Sequence, residues 1–466
     1  MPSQAHFYDC TCATSRWRLS LQIDEPNKSE RPVLVGGADP INVTPFPRDR
    51  VHVSEAVTAA ATRVLRSGKL SMFTSDEVSL FESEFADFVG AKHAIMVNSC
   101  TTAIVASLVA AGIRAGDRVA VPAYTYIGSA MPILAIGAIP VPIDIDPENQ
   151  SLDPEELASA FSQFTIRAVI HVHLFGQSAY VQEIATLCRK NGAAYIADCA
   201  QLLGNRPVTA LLAEQGSTCF SFGDSKLLRI GEGGAIVTNS DELAERVRRV
   251  RHEGEQWTRL GASRLAGLKP VPNDVLNGLA SVQLGLNFRP LAVAAAIGRA
   301  MLRDLPARLD VIRNNALMLS DMLEDCEWIE RPVPTGRTWW TYPVQVVNHS
   351  LHRDVWLAAL LAEKVPAGVH FPLLIPEHPA VKAALENRNL HFPGATRFAE
   401  THLVLPIYPG LESIHIKRMG NAIHRIGSHL QFLQSEEGHK RAADLLNDRA
   451  IDELCSGLFL FLSPGS

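Results

Sequence analysis

Between Ala94 and Val237 the chain repeats one pattern: a short apolar run, a few small or polar residues, then a longer stretch of mixed character. The apolar runs 94–97, 118–121, 139–143, 167–172, 193–197, 217–222 and 234–237 predict strands. The stretches near 101–111, 126–136, 153–162, 178–190 and 240–253 predict helices. Uniformly apolar strands alternating with helices imply βαβ units and a mostly parallel sheet covered on both faces.

The flanks differ. Val53 to Ser67 reads as a helix closed by Gly68, and Thr74-Ser75-Asp76-Glu77 has the form of a capping box. In the helix that follows, Val78, Phe81, Phe85 and Phe88 fall on one face, and Gly90 ends it. Past residue 255 the spacing predicts helices over 291–305, 307–324, 353–363 and 412–433, with strands at 339–344 and 403–406. This is an α/β architecture with a smaller α+β C-terminal domain. The expected organisation is a flexible leader (1–30), a large domain (31–285), a small domain (286–435) and a C-terminal extension (436–466). Gly36-Gly37 and prolines 40, 45 and 47 mark an extended arm, and Leu458–Leu462 is a short apolar patch in the tail.

Composition narrows the function classes. The chain has 466 residues, enough for a large core and two domains. Its formal charge of -6 suggests neither a nucleic-acid nor a membrane surface. No apolar run approaches the ~20 residues of a membrane span, and Met1 to Leu21 lacks the apolar core of a signal peptide. The eight cysteines show no regular spacing, which points to reduced thiols in a cytoplasm. Cys10 and Cys12 form a C-x-C pair without further ligands, too few for structural zinc.

In parallel α/β sheets the ligand crevice opens beyond the carboxyl ends of the strands. Asn98-Ser99-Cys100-Thr101-Thr102-Ala103 follows the first run and opens a helix, a place for an anion; the bland alternative is ordinary N-capping. Tyr126 offers an aromatic plate, or is a core tyrosine. Asp198 offers a carboxylate, or an N-cap, and Gln201 stands close behind it. After 217–222 come Lys226 and the turn Gly231-Glu232-Gly233-Gly234. A desolvated lysine amine has a lowered pKa and forms Schiff bases with carbonyl compounds. The alternative is a solvated surface lysine. His171 and His173 share one strand face and could pair on a metal, but no third ligand is near.

Taken together, these motifs from about residue 34 to 430 resemble the DegT/DnrJ/EryC1/StrS aminotransferases, a branch of the fold-type-I pyridoxal-phosphate enzymes. The matching stretches are 98–103, Pro122-Ala123-Tyr124-Thr125-Tyr126, His173-Leu174-Phe175-Gly176-Gln177, Asp198-Cys199-Ala200-Gln201, Phe220-Ser221-Phe222 with Lys226, and 231–234. The resemblance implies pyridoxal 5'-phosphate as cofactor, Lys226 as the Schiff-base lysine and Asp198 as partner of the pyridine nitrogen. It implies Tyr126 as the ring plate, with Thr101, Thr102 and Ser221 on the phosphate. Gln201 would hydrogen-bond the ring hydroxyl. Asn287, before Phe288-Arg289, matches an asparagine that reaches the neighbouring subunit's phosphate, so a homodimer with shared sites is expected.

The segment Gly223-Asp224-Ser225-Lys226-Leu227-Leu228 is more similar to the cyclitol and aminohydroxybenzoate branch than to the nucleotide-sugar branch. The expected activity is transfer of an amino group from glutamine or glutamate to a keto-cyclitol or keto-sugar in secondary-metabolite biosynthesis. Two departures stand out: Leu291-Ala292-Val293-Ala294-Ala295-Ala296 replaces the family's polar stretch, and His252-Glu253-Gly254 replaces its His-Gly. The rival readings are a nucleotide-sugar aminotransferase, a pyridoxal-phosphate lyase or dehydratase, and a non-catalytic cofactor-binding regulator. A nicotinamide oxidoreductase would need G-x-G-x-x-G, which 231–234 does not supply.

Overall fold

The seven apolar runs become seven strands of one sheet: β1 (His93–Val97), β2 (Arg118–Pro122), β3 (Ile139–Ile143), β6 (Ile166–Val172), β7 (Ala194–Asp198), β8 (Ser217–Ser221) and β9 (Gly234–Thr238). A small hairpin, β4 (Ile145–Asp146) and β5 (Ser151–Leu152), lies between β3 and β6. This computed structural model describes residues 32–35, 44–47, 53–255, 280–347, 351–385 and 390–446. The leader, Gly36-Gly37, Pro40, Cys10, Cys12 and Leu458–Leu462 lie outside the described residues.

The sheet order is β1-β9-β8-β7-β6-β2-β3. Only β9 runs antiparallel to its neighbours. The strands are apolar throughout because helices cover both faces: β9 is buried at every position, and β6 at all but Arg167. Register aligns Val172 with Asp198, Asp198 with Cys219, and Ser221 with Gly234. The carboxyl ends of β6, β7 and β8 and the start of β9 therefore meet on one edge.

The helix Glu77–Val89 braces that edge from behind. Phe81 and Phe85 are fully buried and meet the rings of Phe220 and Phe222 edge-on, at centroid distances of 5.1–5.5 Å. Such pairs add to the area that aromatic rings bury, and they hold the segment leading to Lys226. Gly90 ends the helix in the left-handed conformation. Phe88, expected in the core, is only partly buried, and Asp76 makes no side-chain cap.

Three expectations fail in the C-terminal half, one of them the single helix over 412–433, which is broken at Ser428-His429 into Ser413–Gly427 and Leu430–Leu433. The predicted break after Leu305 does not occur: one helix runs Ala292–Met322 straight through Pro306. Proline forfeits one backbone bond there, but buried Met301, Leu302, Leu305 and Ile312 hold both halves to the same core. The strand predicted from Trp339 begins only at Tyr342. Trp339 sits at φ 52°, outside any strand geometry.

The small sheet pairs β10 (Ile329–Glu330), β11 (Tyr342–Val346) and β12 (His402–Leu405) antiparallel. Asp144, just past β3, accepts the N–H groups of Gly394 and Ala395 at 2.8 and 2.7 Å. It thereby caps the helix Pro393–Thr401 and fastens it to the large sheet. A helix over Arg206–Gln215, not predicted, is capped by Asn205. Residues Glu436–Leu446 of the expected extension also form a helix, packed on Arg353–Ala362.

Candidate active site

A cavity of about 270 Å³ opens at the shared strand edge. Its wall includes Tyr126, His173, Asp198, Gln201, Ser221 and Lys226. Five of the predicted site residues thus converge, although Tyr126 and Lys226 lie a hundred residues apart. Lys226 is half-buried, and burial lowers the pKa of its amine, against the opposing pull of Cys100 and Asp198. The neutral, nucleophilic form is thereby more accessible than on a surface lysine.

Asp198 is 5% exposed. Its Oδ2 accepts from Ser129 Oγ at 2.7 Å, and its Oδ1 accepts from the Ala200 N–H at 3.0 Å and faces Cys100 Sγ. These bonds fix a carboxylate at the cavity wall. Gln201 Oε1 accepts the Phe175 N–H at 2.5 Å, so its amino group is the end left to donate elsewhere. His173 donates from Nδ1 to the Gln177 carbonyl at 3.2 Å, leaving Nε2 a lone-pair acceptor that is buried and without a partner. An orphaned acceptor on a cavity wall points to a ligand.

His171, expected to pair with His173 only if a metal were bound, is already saturated. Its Nε2 meets Ser151 Oγ at 2.9 Å and its Nδ1 meets Tyr195 OH at 2.8 Å. His171 therefore belongs to a hydrogen-bonded core network with Ser151 and Tyr195. Among the described residues the one group with metal-ligand spacing is His252, Glu253 and Glu255. There the Arg289 guanidinium lies 2.7 Å from His252 Nδ1 and 3.2 Å from Glu253.

The helix Cys100–Ala110 begins beside the cavity, held there by a close approach that only glycine allows. A Cβ on Gly234 would lie 2.5 Å from the Ser99 carbonyl. Thr102 does not line the cavity. Its Oγ1 accepts the Ser99 N–H at 3.2 Å and donates to Asn98 Oδ1 at 2.7 Å, while its own N–H goes to Ser99 Oγ. The capping box therefore consumes this hydroxyl. Thr101 is exposed in the first turn, near Gly128 and Tyr126 but off the cavity wall. The cap leaves unused the N–H groups of Cys100 and Thr101, the ones that a helix start offers to an anion.

Asn287 is exposed and bridges to His252, away from this chain's cavity. The altered stretch 291–296 also stays off the wall: Ala292 and Ala296 pack on Val64 of the helix Glu55–Ser67.

Four wall or near-wall residues carried no signal as site residues in the sequence: Ser129, Trp340, His370 and Phe371. Ser129 holds Asp198. The Trp340 ring lies 4.7 Å from Lys226 Nζ. Phe371 meets Tyr126 at 5.7 Å between ring centroids. His370, buried behind them, lies tilted against Trp340 at 5.1 Å between ring centroids. Tyr126 itself is 43% exposed.

Burial pushes the pKa of His173 down to about 4, that of His402 to about 4 and that of His370 to about 3. In the unfolded chain each takes a proton near pH 6.5. Below that pH the unfolded state binds protons that the folded state refuses. The stabilising contribution is therefore complete above pH 6.5 and declines as the pH falls towards the folded values. The expected loss is about 2 kcal/mol per histidine at pH 5. Denaturant unfolding at pH 7 and pH 5 measures it, and equal free energies at the two would contradict it.

The model of the DegT/DnrJ/EryC1/StrS aminotransferase family matches residues 52–424. The chain is 31% identical over 328 residues to the L-glutamine:2-deoxy-scyllo-inosose aminotransferase of Streptomyces lividus, covering 67% of this chain and 74% of the relative. It is 30% identical over 379 residues to the UDP-2-acetamido-2-deoxy-3-oxo-D-glucuronate aminotransferase of Pseudomonas aeruginosa, covering 79% and 95%. Among solved structures, S. venezuelae DesV, in complex with a ketimine intermediate, matches with a TM-score of 0.67 at 28% identity over 80% of this chain and 94% of that one. The chain belongs to the DegT/DnrJ/EryC1/StrS aminotransferase family, pyridoxal-phosphate enzymes of fold type I.

Proposed function

We propose that this aminotransferase moves the amino group of glutamine or glutamate to a ring ketone of a cyclitol, in secondary-metabolite biosynthesis. The observation that carries the reading is the meeting of Lys226, Asp198, Gln201, Ser221 and Tyr126 around one cavity. The donor set fits the cofactor: an acid for a ring nitrogen, an amide donor for a ring oxygen, an amine for a carbonyl and an aromatic ring for stacking. Pyridoxal phosphate, when bound, supplies a carbonyl that condenses with amines and a ring that stores an electron pair.

The chain's own residues do the rest. Asp198, held by Ser129 and Ala200, would keep a proton at the ring nitrogen. Gln201 would donate to the ring hydroxyl oxygen, and Ser221 with the start of the helix Cys100–Ala110 would hold the phosphate. The Lys226 amine would take a proton from the donor's α-carbon as base and deliver it, as acid, to the cofactor carbon that keeps the amino group.

Cyclitol transfer is supported by the Streptomyces lividus relative, which acts on an inosose. A keto-sugar acceptor is the second reading. It is favoured by the Pseudomonas aeruginosa relative, which the chain covers almost completely. Exposed Val282, Leu284, Leu286 and Leu291 flank Asn287 and support a homodimer in which Asn287 serves the partner's cavity. Five described cysteines are free, in keeping with a reducing cytoplasm. No helix among the described residues is long and apolar enough to cross a membrane.

The test is direct. The purified protein is expected to carry a visible absorption band that shifts on adding glutamine, and to show ping-pong kinetics. A panel of keto-cyclitols and keto-sugars then separates the two acceptor readings. A protein without the band, or one that releases no keto acid from either donor, would reject the proposal.

A further inference from the structure

We propose that Trp340 is a positioning residue that holds the Lys226 amine whenever that amine is not bonded to a carbonyl carbon. The inference rests on the reading above for its consequence, though not for its geometry.

The segment 336–340 belongs to the C-terminal half of the chain but is tied down on the large sheet. The Thr338 N–H donates to the Gly176 carbonyl at 3.0 Å, and the Leu203 N–H to Thr338 Oγ1 at 3.3 Å. Ser178 Oγ donates to the Gly336 carbonyl at 3.0 Å. Buried Arg337 reaches Gln150 Oε1 at 2.7 Å and the Phe175 carbonyl at 3.3 Å. These anchors hold Trp339 at φ 52°, a conformation that costs a bulky residue free energy. The strain turns the chain so that consecutive tryptophans separate: Trp339 is buried, stacked on Tyr342 at 5.3 Å, while Trp340 reaches the cavity.

The Trp340 ring is fixed on several sides. Its Nε1 donates to the Ser225 carbonyl at 2.6 Å, so the indole is tied to the residue before Lys226. Phe175 stacks at 6.4 Å and His370 lies at 5.1 Å. Over this fixed face the Lys226 Nζ sits 4.7 Å from the ring centroid, within the range of cation–π attraction.

The other groups around the amine are Cys100 at the helix start, Asp198 at the end of β7, His370, and the wall residues Asp224 and Glu232. Cys100 and His370 are held neutral by burial. A direct ion pair with Asp198 would hold the amine's proton and occupy the carboxylate. An indole face stabilises the ammonium less than a buried carboxylate would, so the amine gives up its proton more readily and can act as base. Lysine's flexible four-carbon stem loses its alternatives when its tip has one resting place.

The test uses the full-length chain freed of cofactor, compared as wild type, Trp340→Leu and Trp340→Phe. Competitive acetylation of Lys226 against pH, read by mass spectrometry, gives the pKa of its amine. Losing the π face lowers it by about half a unit to one unit in Trp340→Leu. Trp340→Phe keeps a π face and stays within a few tenths of wild type. Simple loosening of the pocket would hydrate the amine and move its pKa upward, so the sign separates the two causes. With cofactor restored, kcat of Trp340→Leu is expected to fall about tenfold with the KM of the amino donor unchanged. A Lys226 pKa that rises or stays at the wild-type value in Trp340→Leu overturns the proposal. If the wild type transfers no amino group to any acceptor, the function above fails, while a lowered pKa in Trp340→Leu still supports the contact.

Discussion

Replacing Lys226 by alanine is expected to abolish amino transfer while leaving the protein folded. The backbone around residue 226 is held independently of the side chain: its N–H donates to the Gly223 carbonyl at 3.0 Å, and its carbonyl accepts from Arg229 Nε at 2.8 Å. Those bonds persist in the variant, and Phe220 and Phe222 keep the segment anchored on Phe81 and Phe85. What disappears is the amine. A positioned acid–base group alone contributes about 10²–10⁴-fold to a proton transfer, and loss of the covalent attachment adds to that. Lys226→Arg makes the sharper control. A guanidinium stays protonated at every working pH and cannot act as the base, so it should fail as completely as alanine. The measurement is keto-acid release from glutamine, with far-UV circular dichroism to confirm folding. Transfer at the wild-type rate by either variant would remove Lys226 from the chemistry.

The fold was largely legible because its strands are buried on both faces, which makes each an unbroken apolar run. All seven sheet strands were placed to within a residue at either end. The rule that ligands gather at carboxyl ends then located Asp198 and Lys226: Asp198 pairs with Cys219 of β8, the strand that leads to Lys226. Side-chain hydrogen bonds were less legible. Thr102 reads as a phosphate donor or as a cap with equal ease, and the backbone geometry at Ser99 decides for the cap. Trp339-Trp340-Thr341-Tyr342 reads as a strand from its aromatic and β-branched residues. The positive φ at Trp339 comes from tertiary bonds to Gly176 and Leu203 that no local propensity encodes. Pro306 misleads for the same reason in reverse: the local penalty is real, and packing on both sides of it outweighs the break. The lone pair of His173 becomes visible only once Gln177 is seen to take the other nitrogen.

Asp198→Asn is expected to cost about 10²–10³-fold in kcat, the scale of removing one preorganised electrostatic partner of a developing charge. The substitution is nearly isosteric. An asparagine carbonyl oxygen still accepts the Ala200 N–H, and its amino group can donate to Ser129 Oγ, whose hydroxyl is then free to donate to Thr125 Oγ1, 3.2 Å away. The shell around the residue therefore survives, and the KM of the amino donor should change little. What is lost is negative charge at a buried point on the wall. In the proposed mechanism this charge would favour a protonated ring nitrogen, so without it the ring would store electrons less well. A second consequence follows from the same charge. Asp198 raises the Lys226 pKa, against the larger lowering by burial. Removing that anion leaves burial less opposed, so the amine's pKa should fall further and the limb of the pH–rate profile that reports it should move to lower pH. The two effects come from one substitution and are read separately, one in the plateau of kcat and one in the position of the limb. An Asn variant with an undiminished plateau and an unmoved limb would mean that the Asp198 carboxylate faces neither the ring nitrogen nor the amine in the working enzyme.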